Sequence, residues 1–145
     1  MKKSIRSIIA IILAITAILC VVSCGKEETP DVEGLWQNTT YKADTELGSG
    51  AKTVKVEYKL EEKVITFTIH TDKETVGEAL LEHNLISGDI GEFGMYVKVV
   101  NGITADYDVD KSYWAFYVNG DYAMSGVDQT AIDETATYQL AYTKE

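Results

Sequence analysis

An α+β fold, a mixed sheet packed on one short helix, is what this sequence predicts, and three observations carry the prediction. Val54, Val56, Tyr58 and Leu60 alternate with Thr53, Lys55, Glu57 and Lys59, the period-2 pattern of a strand with one buried face. Thr75-Val76-Gly77-Glu78 has the form of a capping box, in which the Thr hydroxyl and the Glu carboxylate each satisfy a free backbone N–H of a first helical turn. Asn119-Gly120, set between aromatic runs, is a strong hairpin signal, because a type I′ turn needs positive φ at both central residues.

The remaining elements follow in order. After Glu61-Glu62-Lys63 a second run, Val64 to His70, places Ile65, Phe67 and Ile69 on one face and Thr66, Thr68 and His70 on the other. So short a connection makes the two runs a hairpin. A helix from Thr75 to His83 puts Val76, Ala79, Leu80 and His83 on one face, with Glu78 and Glu82 pointing away and Asn84 as a left-handed stop. A helix that short is unstable alone and has to be held by packing on a sheet. Met95 to Val100 and Tyr113 to Val118 are further strands, Tyr122 to Met124 is the return of the Asn119-Gly120 hairpin, and Thr137 to Thr143 is the last strand. Trp36 to Lys42 is expected as an added edge strand, and Gly48-Ser49-Gly50 as a turn.

The domain organisation begins with the N-terminus. Lys2, Lys3 and Arg6 precede an apolar run from Ile8 to Val22, which closes on Val21-Val22-Ser23-Cys24. That ending resembles the lipobox of a bacterial lipoprotein signal peptide, with a branched apolar residue three before the cysteine and a small residue just before it. The run is shorter than the roughly 18 to 20 residues of a membrane-spanning helix. The expectation is a signal peptide over residues 1–23, lipidation at Cys24, a tether over 24–34 and one domain over 35–145. The protein would then sit on the extracytoplasmic side of a bacterial cell membrane. Cys20 lies inside the removed segment, so no thiol is left for a disulfide or a nucleophile.

The chain of 145 residues carries 13 basic and 23 acidic residues, a formal net charge of -10. A length of that order suits a single domain. Binding to a phosphate backbone needs a basic surface, so nucleic acid is excluded as an expected partner. Loss of residues 1–23 would remove three positive charges and no negative one, leaving the exported part more acidic still.

Four segments together look like the transcobalamin-like C-terminal domain family. They are Thr75-Val76-Gly77-Glu78-Ala79-Leu80, Met95-Tyr96-Val97-Lys98-Val99-Val100-Asn101-Gly102, Tyr113-Trp114-Ala115-Phe116-Tyr117-Val118-Asn119-Gly120 and Ala123-Met124-Ser125-Gly126. The similarity covers residues 64–144 and is most specific in the Tyr-Trp-x-x-Tyr-Val-Asn-Gly stretch. It implies a β-grasp fold and a small soluble ligand, with a corrinoid such as cobalamin as the example. In vitamin B12 carriers a separate helical barrel holds the rest of the corrinoid, and this chain has no residues for one. On this resemblance the ligand-contacting positions are Tyr113, Trp114, Tyr117 and Asn119, with Tyr96 and Tyr122 nearby. The competing reading is that these rings fill the core, since Tyr and Trp are good strand formers. It weighs most on Trp114, which shares a face with Phe116 and opposes Tyr113 and Tyr117.

Other chemistry is sparse. Asp106, Asp108 and Asp110 have the opening spacing of a calcium loop, but the sixth position is Lys111 instead of Gly and the twelfth is Tyr117 instead of Glu. They fit either a loose calcium site or a solvated acidic turn. His70 and His83 lack metal-motif spacing. No Gly-x-Ser-x-Gly and no phosphate-binding glycine loop is present. The expected function is therefore a non-catalytic, lipid-anchored module that binds a small ligand. The alternative is a module that docks an envelope protein or surface polymer without a small-molecule ligand.

Overall fold

A computed structural model describes residues 32–145. The expected signal peptide, Cys24 and most of the expected tether lie outside the described residues. The chain opens with α1 (Val32–Gln37), followed by β1 (Thr45–Gly48), β2 (Lys52–Leu60), β3 (Lys63–Thr71) and α2 (Val76–Glu82). Next come β4 (Ile86–Gly91), β5 (Gly94–Val100), β6 (Ile103–Thr104), α3 (Tyr107–Asp110), β7 (Ser112–Val118) and β8 (Asp121–Tyr122). A 3-10 turn (Val127–Gln129) and β9 (Thr137–Lys144) complete it.

The sheet is mixed, as the alternation and turn signals require. Six strands run in the order β1-β3-β2-β9-β7-β8, and a separate three-stranded sheet runs β4-β5-β6. The β2–β3 hairpin pairs Lys52 with Thr71 through Leu60 with Lys63, closing on a two-residue turn in which Glu61 takes φ 54. At the centre β2 lies parallel to β9, with Val56 opposite Tyr138 and Tyr58 opposite Leu140. A hairpin, a crossover helix and a last strand returning parallel beside the first make the β-grasp plan.

The buried face of this sheet is the one its period announced. Val54, Val56, Tyr58, Leu60, Phe67 and Ile69 are all within 1% of full burial. Against them pack Val76, Ala79 and Leu80 of α2, and Ile86, Val97, Val100 and Ile103 of the small sheet. The capping box forms in full: Thr75 Oγ1 accepts from Glu78 N at 3.2 Å and Glu78 Oε2 accepts from Thr75 N at 3.2 Å. Asn84 ends the helix with φ 54.

Several expectations are corrected. Trp36 does not start an edge strand. Leu35 and Trp36 sit in α1, half-buried against the core, with Trp36 stacked 6.2 Å from Tyr58 and Lys63 Nζ 4.9 Å from the Trp36 ring. The segment after α1 is held by Asn101, whose side chain accepts from Tyr41 N and donates to Tyr41 O, both at 2.8 Å. Helix α1 also begins within the last residues of the expected tether. The sheet has its outer edge in β1, where Gly48 reads as a strand end, and there the chain runs parallel to β3. Two more helices accompany α2, and the strand at Met95 belongs to the second sheet. The return strand stops at Tyr122: Met124 is 95% exposed and lies beyond it.

Candidate functional site

The free edge of β7 creates the site. On one side β7 is paired with β9 along its whole length, from Ser112 opposite Lys144 to Val118 opposite Tyr138. On the other, β8 covers only Tyr117 and Val118, extended by one bond from Ala123 N to Phe116 O at 2.9 Å. Hydrogen-bonding direction alternates along an antiparallel strand. Since Phe116 O points toward β8, the backbone of Trp114 points the same way, where no strand is hydrogen-bonded to it. The facing wall is the first half of β5, and the floor and far rim are Tyr122 to Val127.

Between these elements is a groove of about 500 Å³ with a predominantly apolar lining. Tyr96, Tyr113, Trp114 and Tyr122 line it, with Phe93 and Met124 at its mouth. Phe93 is 77% exposed and Tyr122 61%, apolar area that a folded chain would bury if packing allowed. Residues from both faces of β7 reach the groove because it runs along the strand's edge, not over a face. Trp114 is nonetheless mostly a core residue: its ring is buried, lies 5.4 Å from both Tyr58 and Tyr142, and donates from Nε1 to Ile103 O at 3.1 Å. Burial, followed by the nearby Glu145 charge, raises the Tyr113 phenol above its usual pKa.

Two close backbone approaches hold the rim. Met95 N donates to Asp128 Oδ1 at 2.6 Å, and Gly126 N donates to Phe93 O at 3.1 Å. A Cβ on Gly126 would lie 2.6 Å from that Asp128 oxygen and 2.8 Å from Met95 N, so only glycine allows the contact.

The other expected site residues lie elsewhere. Tyr117 projects to the opposite side of the sheet, near Glu57 and Gln139, and touches the groove only through Tyr122, whose ring it meets edge-on at 5.7 Å. Asn119 takes φ 51 in the turn and its Oδ1 accepts from Thr137 N at 2.9 Å, a structural role. Asp106 caps α3 by accepting from Asp108 N at 3.0 Å, while Asp110 accepts from Ser112 N and Oγ and meets Lys144 Nζ at 3.5 Å. The Ser112 hydroxyl bond, above the other causes, lowers the Asp110 pKa. Lys111 Nζ sits 4.5 Å over the Tyr107 ring. Among the described residues no group of three or more His, Cys, Asp or Glu side chains is placed to hold a metal ion. Phe93 and Glu92 were missed by motif reading, although the flanking Gly91 and Gly94 mark the tight turn that presents them.

Residues 73–144, from just before α2 through β9, match the family model described as "Domain of unknown function (DUF4430)". Over this segment the chain is similar to DUF4430 domains. The segment contains the whole groove, while the β2–β3 hairpin that completes the sheet precedes it. Among solved structures, a "putative metal binding protein" from Ruminococcus gnavus is similar at 26% identity and TM-score 0.60, over 66% of this chain and 99% of that one. Haptocorrin in complex with Cbi is similar in fold at 11% identity and TM-score 0.54, over 68% of this chain. The match spans 26% of haptocorrin's own length. The chain thus shares its fold with part of transcobalamin-like haptocorrin, as the sequence resemblance implied. No curated protein matches the chain.

Proposed function

We propose that the chain is a non-catalytic binding module, lipid-anchored through Cys24 on the extracytoplasmic side of a bacterial cell membrane, and that the groove along β7 receives a flat amphipathic ligand of the corrinoid type. The observation that carries this reading is the convergence of Tyr96, Tyr113, Trp114 and Tyr122 on one apolar groove. Aromatic walls suit the face of a macrocycle, and the phenols among them suit its peripheral amides. The groove's size lets it cover part of such a ligand and leave the rest to solvent or to a second protein. The fold shared with haptocorrin, solved in complex with Cbi, supports the reading.

The test is a titration of purified residues 25–145 with cobinamide and with cobalamin, following tryptophan fluorescence corrected for corrinoid absorbance. Saturable quenching is expected, weakened at least tenfold in Tyr122→Ala with an unchanged melting temperature. Tyr117→Ala should have the smaller effect, since it only supports Tyr122. An absence of saturation up to about 1 mM, where binding is worth about 4 kcal/mol, would leave the alternative of a docked envelope protein or polymer. The exposed Phe93 and Met124 favour that second reading only if a stoichiometric protein is recovered on them.

A further inference from the structure

Charge is distributed around the groove in an uneven way. Glu92 is the one ionisable acid or base of lysine, arginine, histidine or carboxylate type among its lining residues; the other polar groups are tyrosine phenols, a serine hydroxyl, backbone and the Trp114 indole N–H, which is held by Ile103 O. The nearby cations are already engaged. Lys98 Nζ is 2.6 Å from Asp89 Oδ2, and that partnership, first through its hydrogen bond, raises the lysine's pKa. Lys111 lies over Tyr107, and Lys144 is drawn to Asp110. An anionic group entering the groove would lose water without meeting a counter-charge among the lining residues, and would approach the exposed Glu92 at the turn. Amides and hydroxyls, by contrast, bring no charge and can hydrogen-bond the phenols of Tyr96, Tyr113 and Tyr122 and the hydroxyl of Ser125.

We propose that Glu92 makes the groove selective by charge: it accepts neutral or cationic amphiphiles whose polar rim is amide, and rejects their carboxylate or sulfonate analogues. The proposal rests on the groove being a ligand site, as above, and names the chemical class it takes. Glu92 is a specificity-determining residue here because it sits in the two-residue β4–β5 turn, next to Phe93 at the mouth and closed by the Gly91–Gly94 pair. The chain's overall acidity repels anions at long range and is screened by salt, so a local effect must be separated from a global one.

A matched dye pair makes that separation. N-phenyl-1-naphthylamine and 1-anilinonaphthalene-8-sulfonate share one skeleton and differ by the sulfonate. Titrated into residues 25–145 at 0.15 M salt, the neutral dye should bind at least tenfold more tightly. Glu92→Gln should narrow the ratio about threefold, and Glu92→Lys should narrow it further. Glu62→Lys, in the distant β2–β3 turn, changes net charge equally and should leave the ratio unchanged. Equal shifts in Glu92→Lys and Glu62→Lys, or no shift in either, would overturn the proposal. Cobinamide and the carboxylate-rimmed cobyrinic acid, tested in parallel, keep the two readings apart. Binding of both corrinoids with equal affinity sinks the charge selectivity and leaves the corrinoid reading standing. Dye selectivity with no corrinoid binding does the reverse, and failure of every probe removes the groove as a ligand site altogether.

Discussion

Trp114 shows how one residue can serve the core and line a site. Its indole is buried among Tyr58, Tyr142 and the Ile103 carbonyl, while the residue also lines the groove. Trp114→Ala is therefore expected to destabilise the fold by about 3 to 5 kcal/mol, measured by urea denaturation, and any loss of binding in that variant would report on folding. Tyr122, 61% exposed, is where binding can be probed without that penalty. Tyr58 lies at the other extreme. Its hydroxyl is buried with no hydrogen-bond partner among the described residues, and burial drives its pKa up, so it stays neutral throughout the physiological range. Tyr58→Phe should consequently leave stability unchanged or raise it, because it removes an unsatisfied polar atom and keeps the ring; a loss above about 1 kcal/mol in the same denaturation assay would contradict this.

At the scale of elements, α2 depends on its first turn. Thr75→Ala removes the cap and should cost about 1 kcal/mol, read as a shift in the denaturation midpoint. Glu78 answers in the same turn: the backbone N–H of Thr75, then that of Glu74, lowers its pKa. Hydrogen bonds from Thr135 do the same for Asp133, and those from Ser112 for Asp110. A carboxylate whose folded pKa is depressed contributes stability above its unfolded pKa of about 4, and that contribution disappears as pH falls through the folded value. The melting temperature should therefore drop on acidification from about pH 5 to about pH 2, and less steeply in Glu78→Gln than in the wild type. The β7 edge is the other element with a consequence. It is short and flanked by the overhanging β4–β5 turn, which makes it suited to a ligand and a poor template for strand addition by another copy.

For the whole molecule, the prediction concerns location. Replacement of Cys24 by serine should move the protein from the detergent phase to the aqueous phase on Triton X-114 partition of cells expressing the full chain, and abolish incorporation of labelled palmitate. Persistence in the detergent phase would point to a retained apolar anchor instead. Among the described residues no helix is long and apolar enough to cross a membrane. Under the proposed lipidation, two or more acyl chains on one cysteine would hold the protein stably at the membrane.

Period and turn chemistry are local, and what they encode was legible in the sequence. The buried faces of β2 and β3, the capping box of α2, the left-handed Asn84 and the positive φ of Asn119 and Gly120 all appear in the fold as the residues predicted. Elements without such signals were not legible. Strand β1 is four residues with half-exposed alternation, and β4 carries two glycines and a bulge at Ser87/Gly88, so neither stands out from loop composition. Trp36 reads as a strand residue by propensity, but α1 packs its ring on Tyr58, a contact between residues far apart in the chain. The sequence by itself determined the α+β class, the hairpins, the helix and the set of aromatic residues available for a ligand. Only the tertiary structure decided which of them share a groove, because that depends on where β8 stops and where β5 comes to rest beside β7. It drew Tyr96, Tyr113, Trp114 and Tyr122 together and turned Tyr117 to the far face, since alternate residues on a strand point to opposite sides while an edge collects from both.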